Sequence, residues 1–192
     1  LFSRLPRGII ANSRVGLRAH AEGGYRNPNF HHIPNCVDGA RYRPDPALRT
    51  KIRDELGIAQ DCFVFLIVAR VDPMKGFDIF LDLAARFPDC IALAAGRGTD
   101  DLTGPANYRG LGMRDDVPAL LNAADLVVST SLFGEGQSNS LIEAMATGLP
   151  VLTSDTGDAA DLVGQVLAVA QVLVLVVLEK VNLHLILILP VL

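Results

Sequence analysis

The chain has 192 residues, of which 50% are hydrophobic and 20% are charged, a composition typical of a folded globular protein and not of a disordered one. Its formal net charge of -4 argues against a protein that wraps nucleic acid, although local basic residues could still bind a small anion. The three cysteines are an odd number without the spacing of a metal site, which favours a reducing, cytoplasmic setting.

The first 42 residues predict a single β/α unit. Residues 8–13 look like a strand that ends at a helix cap, a helix follows to about Ala21, and residues 30–34 form a second short strand before a turn. The chain starts at Leu1 and shows no signal peptide, so we expect a fragment. In this interpretation residues 1–42 are the remnant of a preceding N-terminal domain and the crossing into the next one.

Residues 43–164 predict an α/β domain, with a Rossmann-like parallel sheet and flanking helices. Short apolar runs alternate here with amphipathic stretches, which is the pattern of parallel β/α units. The predicted strands are residues 62–69, 91–95, 108–111, 125–130 and 151–153. The predicted helices are residues 77–87, residues 116–123 with Asp115 or Asp116 as the cap, and a helix after Glu135 that Gly148 and Pro150 end.

Residues 165–192 form an atypical tail dominated by Val, Leu, Ile and Ala. Its longest uninterrupted apolar run, Val172 to Leu178, is shorter than the roughly 18 residues that a membrane helix needs. Core strands, a buried helix and an altered sequence register explain this tail equally well. No function is therefore assigned to it.

Loops from several strands are predicted to meet at one edge of the sheet, because open α/β sheets bind ligands at the carboxyl ends of their strands. Arg70 and Lys75 follow the first strand of the domain. Two cations on one loop beside a helix start suit a diphosphate, and they would neutralise charge that grows on a leaving nucleotide. Ordinary solvated charge is the alternative explanation.

Two glycine-containing loops follow at the same edge. Gly96 comes directly after the second strand, where a glycine permits the close approach of a ligand. A later loop lies where a planar base could stack, and it contains Leu111, Gly112, Met113 and Arg114. A plain turn and a simple strand-to-helix loop are the alternatives for these two segments.

The passage from Gly134 to Pro150 is the most informative in the chain. It places Glu135 and Glu143 eight residues apart around the start of a helix, whose free N–H groups favour an anion. We assign Glu143 to a ribose diol and Glu135 to a transferred sugar, because carboxylates accept hydrogen bonds from hydroxyls and repel phosphates. Residues 140–143 also match a capping box, and Glu135 could be a plain loop acid.

These motifs resemble the retaining, nucleotide-sugar-dependent glycosyltransferases of the large group 1 family (family four), which have the two-domain GT-B fold. Order and spacing agree over about residues 7–164. The resemblance rests on residues 33–38, residues 68–70 with Lys75 and Gly76, Asp125 at the head of its strand, and residues 135–151, which match the family's E-x7-E motif. Cys36, where the family usually has glycine, and the tail depart from the pattern.

The resemblance implies the C-terminal, donor-binding half of a glycosyltransferase. Such an enzyme binds a nucleoside-diphosphate sugar and transfers the sugar, with retention, to a hydroxyl of a glycan or lipid-linked acceptor. The catalytic residues would be Arg70, Lys75 and Glu135. The donor-binding residues would be Gly96, Leu111, Gly112, Met113, Arg114, Gly136, Gln137, Ser138, Asn139, Ser140 and Glu143. Neither a metal nor a cofactor is expected, because the two cations take the charge-stabilising role.

The expected partners are the nucleotide-sugar donor and the missing N-terminal domain, which would bind the acceptor and close over the donor; no nucleic acid is expected. This chain alone should therefore bind nucleotide weakly and transfer little sugar. The expected setting is polysaccharide biosynthesis in the cytoplasm, with the full-length enzyme peripheral at the inner face of the membrane. Another GT-B enzyme, such as a phosphorylase or a sugar-nucleotide epimerase, and a non-catalytic nucleotide-binding or interaction module are the alternatives.

Overall fold

A computed structural model describes residues 5–162 together with the backbone of residues 174–178 and 183–187. The first unit consists of β1 (Ile9–Ala11), α1 (Arg14–Glu22) and β2 (Phe30–His32), with the two strands paired in parallel. Ser13 begins the helix as predicted, because its Oγ accepts the backbone N–H of Gly16 at 2.9 Å.

The centre of the molecule is a sheet of five parallel strands. These strands are β3 (Val64–Val68), β4 (Ile91–Ala95), β5 (Tyr108–Gly110), β6 (Leu126–Ser129) and β7 (Val151–Thr153). Their order in the sheet is β5-β4-β3-β6-β7, and every neighbouring pair is parallel. The predicted Rossmann-like α/β sheet is therefore confirmed, and the strand order reverses between β3 and β6.

Helices cover both faces of this sheet. The helices are α2 (Pro46–Glu55), α3 (Phe77–Arg86), α4 (Val117–Ala123) and α5 (Asn139–Ala146). Along β3, Val64 and Leu66 pack into the core under α2, α4 and α5, whereas Phe65 and Ile67 pack under α3. This alternation explains why the strand reads as a continuous apolar run, since both of its faces are buried.

A buried arginine ties α2 to the sheet. The Arg53 side chain has no exposed surface, and its guanidinium pairs with Asp125 at 2.7 Å. The guanidinium also donates to the backbone carbonyls of Ala59, Gln60, Cys62 and Ala123. Asp125 in turn accepts Arg49 at 2.6 Å and the N–H of Val64 at 2.8 Å, so it connects α2 with β3 and the start of β6.

The capping hydrogen bond predicted for α4 does not form. Asp116 does occupy the N-cap position, but its side chain accepts no capping hydrogen bond from the helix. Arg114 lies two residues before it and donates from Nε to Oδ1 at 2.7 Å. The charged guanidinium thus competes successfully for the carboxylate.

Two strands are described in the tail, β8 (Val174–Leu178) and β9 (Leu183–Leu187), and they pair antiparallel. The remainder of the prediction for residues 165–192 lies outside the described residues. The division at residues 42/43 and 164/165 stays a prediction. No helix in the described ranges combines the length and the apolar character that a membrane crossing requires.

Candidate functional site

A small pocket opens at the carboxyl ends of β3 and β6, where the strand order reverses. Its lining includes Lys75 from the loop after β3, Thr130 and Ser131 from the loop after β6, and Ser140 from α5. The topology therefore brings together residues that are far apart in the sequence. This is the position at which open α/β sheets bind their ligands.

Lys75 and Glu135 form an ion pair beside this pocket. The ammonium of Lys75 contacts Oε1 of Glu135, and Ser131 Oγ donates to the same oxygen at 2.7 Å. The two charged side chains are only 19% and 12% exposed. Since Thr130 Oγ1 also donates to the Lys75 carbonyl at 2.8 Å, both the backbone and the side chain of Lys75 are held.

Arg70 lies on the same loop but has a different partner. Its Nε donates to Asp72 at 3.2 Å, and its side chain is mostly exposed. The N–H of Met74 and then the Arg70 side chain lower the pKa of the Asp72 carboxyl. Arg70 is thus oriented by an ionised neighbour, with the rest of its guanidinium open to an incoming anion.

The loop before α5 is held by two segments outside it. The Gly136 carbonyl accepts the N–H of Asp158 at 3.0 Å. On the other side, Asn35 Nδ2 donates to the Gln137 carbonyl at 3.2 Å and to Asn139 Oδ1 at 2.7 Å. The backbone N–H of Asn35 donates to Gln137 Oε1. The side chains of Gln137 and Asn139 therefore hold the loop in place.

The capping box that residues 140–143 suggested does not form. The helix begins at Asn139 after an N-cap at Ser138, so Ser140 is already inside the helix and Glu143 lies in its second turn. Ser138 Oγ and Ser140 Oγ lie 3.1 Å apart and hydrogen-bond each other. Glu143 is instead half-buried and hydrogen-bonds the Tyr42 side chain; its burial raises the pKa of its carboxyl.

The two predicted glycine loops differ in what they leave open. A Cβ on Gly96 would lie 2.0 Å from the Ala69 carbonyl oxygen, so the close approach at this glycine is made by the end of β3. Gly112 is buried, and its N–H donates to Thr99 Oγ1 at 2.9 Å. Leu111 is half-buried and packs against the core, and Met113 is 71% exposed. Met113 is thus the side chain that this loop offers to solvent.

A larger groove of about 650 Å³ lies on the other side of Glu135. One wall comes from the end of β1 and from α1, including Asn12, Val15 and His20. The opposite wall comes from residues 133–136 and 156–157. Glu135 therefore stands between this groove and the pocket that holds Lys75.

The sequence model of a family described as glycosyl transferases group 1 matches residues 62–177. The chain belongs to this family. It is 33% identical over 145 residues to a UDP-Gal:alpha-D-GlcNAc-diphosphoundecaprenol alpha-1,3-galactosyltransferase of Escherichia coli, covering 64% of this chain and 36% of that protein. It is 35% identical over 138 residues to a phosphatidyl-myo-inositol mannosyltransferase of Mycolicibacterium smegmatis, covering 64% and 33% of the two chains.

The fold of this group 1 glycosyltransferase sequence is similar to that of HepE of Anabaena, whose crystal structure is in complex with UDP-glucose. The TM-score is 0.76 at 31% identity, and the match covers 84% of this chain and 48% of HepE. The structural neighbours are GT-B glycosyltransferases, which confirms the predicted family and fold class. The chain spans about a third of the length of the two curated relatives named above.

Three further residues of this group 1 glycosyltransferase, Asn35, Tyr42 and Asp158, contact or position parts of the site. The sequence did not predict these roles. Asn35 was noted only as part of the block 33–38, and Tyr42 lies just before the proposed domain boundary. Asp158 is buried and accepts the N–H groups of Arg14 and Val15 at 2.7 and 3.0 Å, so it caps α1 from across the molecule. Because these contacts join distant parts of the chain, a single sequence gave no direct signal of them.

Among the described residues, no group of three or more His, Cys, Asp or Glu side chains is arranged to hold a metal ion. His31 and His32 are successive residues of β2 and alternate in exposure, as expected for a strand.

Proposed function

We propose that this chain is the C-terminal, donor-binding half of a retaining glycosyltransferase. It binds a nucleoside-diphosphate sugar and, with an N-terminal domain, transfers the sugar to a hydroxyl of a glycan or lipid-linked acceptor. The observation that carries the proposal is the Lys75–Glu135 pair at the switch point between β3 and β6, beside the start of α5. The UDP-glucose complex of HepE, a neighbour of the same fold, supports a donor of this class.

The diphosphate is bound by cations and by a helix start. Lys75 uses one of its N–H donors on Glu135 and keeps two for phosphate oxygens. Arg70 leaves the same loop with an exposed guanidinium that can engage two oxygens. The start of α5 adds free backbone N–H groups and the positive end of the helix dipole. Together these groups stabilise the charge that develops as the nucleotide leaves.

The two carboxylates bind hydroxyl groups. Oε1 of Glu135 is occupied by Lys75 and Ser131, which leaves Oε2 to accept a hydroxyl of the transferred sugar. Neutralisation by Lys75 also removes the repulsion that an isolated carboxylate would exert on the phosphates. Glu143 accepts the ribose hydroxyls, and the Tyr42 hydroxyl holds its carboxylate from the other side.

The remaining predicted contacts follow the same geometry. The exposed Met113 covers one face of the base, while Leu111, Gly112 and Arg114 keep its loop in shape. Gly96 contributes by letting β3 and β4 end close together. No metal is part of this proposal, and the enzyme acts in the cytoplasm, where its acceptor lies in or near the inner face of the membrane.

A donor screen with a variant tests the proposal. Ligand-observed NMR with uridine, guanosine and adenosine diphosphate sugars should detect binding of one of the three. Glu143→Ala should lose most of that affinity while its thermal unfolding stays cooperative. Binding of no nucleotide sugar by the wild-type protein, or equal binding by Glu143→Ala, would contradict the proposed donor site.

The transfer step has a separate test. In the protein extended by its N-terminal domain, proton NMR of the product should show the same anomeric configuration as the donor, together with release of free nucleoside diphosphate. Inverted configuration would contradict retention. Reversible change of the donor sugar without transfer would favour an epimerase. Binding without any turnover would favour the non-catalytic module.

A further inference from the structure

One residue outside the sheet domain controls the backbone at the proposed phosphate site. Asn35 follows β2 in the N-terminal unit, about a hundred residues before the loop it contacts. It donates its backbone N–H to Gln137 Oε1 and its side-chain amide to the Gln137 carbonyl and to Asn139 Oδ1. Its own Oδ1 accepts Asn12 Nδ2 at 3.2 Å. Asn35 therefore links the end of β1 directly to the loop before α5.

These bonds fix the direction of two peptide planes. The Gly136 carbonyl is turned toward the N–H of Asp158, and the Gln137 carbonyl is turned toward Asn35. In a planar trans peptide the N–H points opposite to the carbonyl. The N–H groups of Gln137 and Ser138 must therefore point away from Asp158 and Asn35.

The loop before α5 has little room to adopt another backbone conformation. A Cβ on Gly157 would lie 2.4 Å from the Gly136 oxygen and 2.6 Å from the Glu135 oxygen, so the backbone at Gly157 packs directly under the loop. Among the described hydrogen bonds, neither the Gln137 N–H nor the Ser138 N–H has a protein partner. At the start of α5, two oriented N–H groups without a described protein partner are therefore available to an anionic oxygen.

We propose that Asn35 is the positioning residue that turns the Gln137 and Ser138 N–H groups toward the donor phosphate. The inference rests on the proposed function, since it names the group that prepares that site. It also assigns the N-terminal unit a part in donor binding. The hydrogen bonds that run from Asn12 through Asn35 to Gln137 and Asn139, called the clamp below, start in that unit.

The test compares a nucleoside diphosphate with its parent nucleoside. Calorimetry or ligand-observed NMR first identifies which of UDP, GDP and ADP the wild-type protein binds. Asn35→Asp keeps the shape of the side chain and its acceptor for Asn12 but removes both side-chain donors. This substitution should weaken diphosphate binding about tenfold, because a loop N–H that is no longer held in position loses its hydrogen bond to the charged phosphate. It should leave nucleoside binding unchanged.

Two variants control for charge. Asn35→Ala removes the same donors without adding a carboxylate, and it should lose a similar factor. Asn29→Asp makes the same chemical change at an exposed asparagine whose amide donates to the Arg7 carbonyl at 2.8 Å, and it should bind like the wild type. A loss in Asn35→Asp alone would show that added charge weakens binding and would overturn the proposal.

The remaining outcomes are also decisive. Equal weakening of nucleoside and diphosphate would show a general structural role for Asn35 and overturn the positioning role. If Asn35→Ala does not fold, Asn139→Ala removes one of the two acceptors, and it should give a smaller loss confined to the diphosphate; no loss would count against the clamp. Wild-type protein that binds none of the three diphosphates would refute the proposed function itself, before any variant is measured.

Discussion

Removing the Asp125 carboxylate should destabilise the fold more than any change at an exposed ion pair. The Asp125 carboxylate accepts a hydrogen bond of 2.7 Å from the guanidinium of Arg53, whose side chain has no exposed surface. In Asp125→Ala the guanidinium keeps its four carbonyl acceptors but loses its only described countercharge. The N–H of Val64 loses its side-chain acceptor at the same time.

The magnitude follows from the burial. Breaking a buried ion pair by removing one partner costs about 3–5 kcal/mol. The second pair, Arg49 with Asp125, is 31% exposed on the arginine side and adds less than about 1 kcal/mol. Together these losses amount to about 3–6 kcal/mol. With roughly 2–4 °C per kcal/mol for a chain of this size, Asp125→Ala should lower Tm by about 6–24 °C.

Asp82→Ala is the matched control. Its partner Arg86 is also 2.7 Å away, but the two side chains are 63% and 57% exposed, so the loss should stay within about 0.5 kcal/mol. Thermal and urea unfolding followed by circular dichroism measure both variants. A Tm for Asp125→Ala as high as that of Asp82→Ala would refute the reasoning, because it would mean that Arg53 does not need its countercharge.

Three smaller predictions concern the site. Gly96→Ala should cost about 1–3 kcal/mol because its Cβ would meet the Ala69 oxygen, and unfolding should show Gly98→Ala, whose Cβ meets only a side chain at 3.4 Å, to cost less. The folded-state pKa of Glu143 lies above its unfolded value, so its ionised form disfavours the fold. As the pH rises from the unfolded to the folded pKa, Glu143→Gln should gain stability relative to wild type; a stability difference that does not change with pH in urea unfolding would contradict this. Tyr42→Phe removes a hydrogen bond that lowers the Glu143 pKa, so Glu143 should be protonated earlier as the pH falls. Nucleotide binding should then be lost at a higher pH than in wild type when the pH is lowered; an unchanged pH profile in calorimetry would count against that contact.

Local patterns in the sequence were sufficient for the central sheet. The run at residues 62–69 is apolar on both faces because helices cover both sides of β3, and this pattern is independent of what lies elsewhere in the chain. The order of the elements then places Lys75 and Glu135 at one edge. Their direct pairing is a finding of the structure, since the sequence only predicted neighbouring roles.

Contacts between distant segments could not be predicted in the same way. Helix α2 is rich in polar residues, and nothing in its pattern marks Arg53 as fully buried. Its acceptors come from residues 59–62 and 123–125, which only the fold assembles.

The capping box failed for a related reason. The spacing of Ser140 and Glu143 fits a helix whose N-cap is Ser140, but Asn35 and Asp158 hold the loop and the N-cap lies two residues earlier, at Ser138. Glu143 then lies two residues beyond the position from which it could cap the helix, and it contacts Tyr42 instead. A local motif was thus overridden by contacts from outside the segment.

The central claim is that Lys75 binds the phosphates of a nucleotide donor. Calorimetric titration of UDP, GDP and ADP into wild-type protein, Lys75→Met and Lys51→Met tests it most directly. Lys51 carries the same charge on α2, is 68% exposed and pairs weakly with Glu55 at 3.7 Å, so its loss controls for net charge. We predict that one diphosphate binds to wild type and to Lys51→Met, and binds at least about tenfold more weakly to Lys75→Met. Equal binding by all three proteins, or no heat with any of the diphosphates, would contradict it.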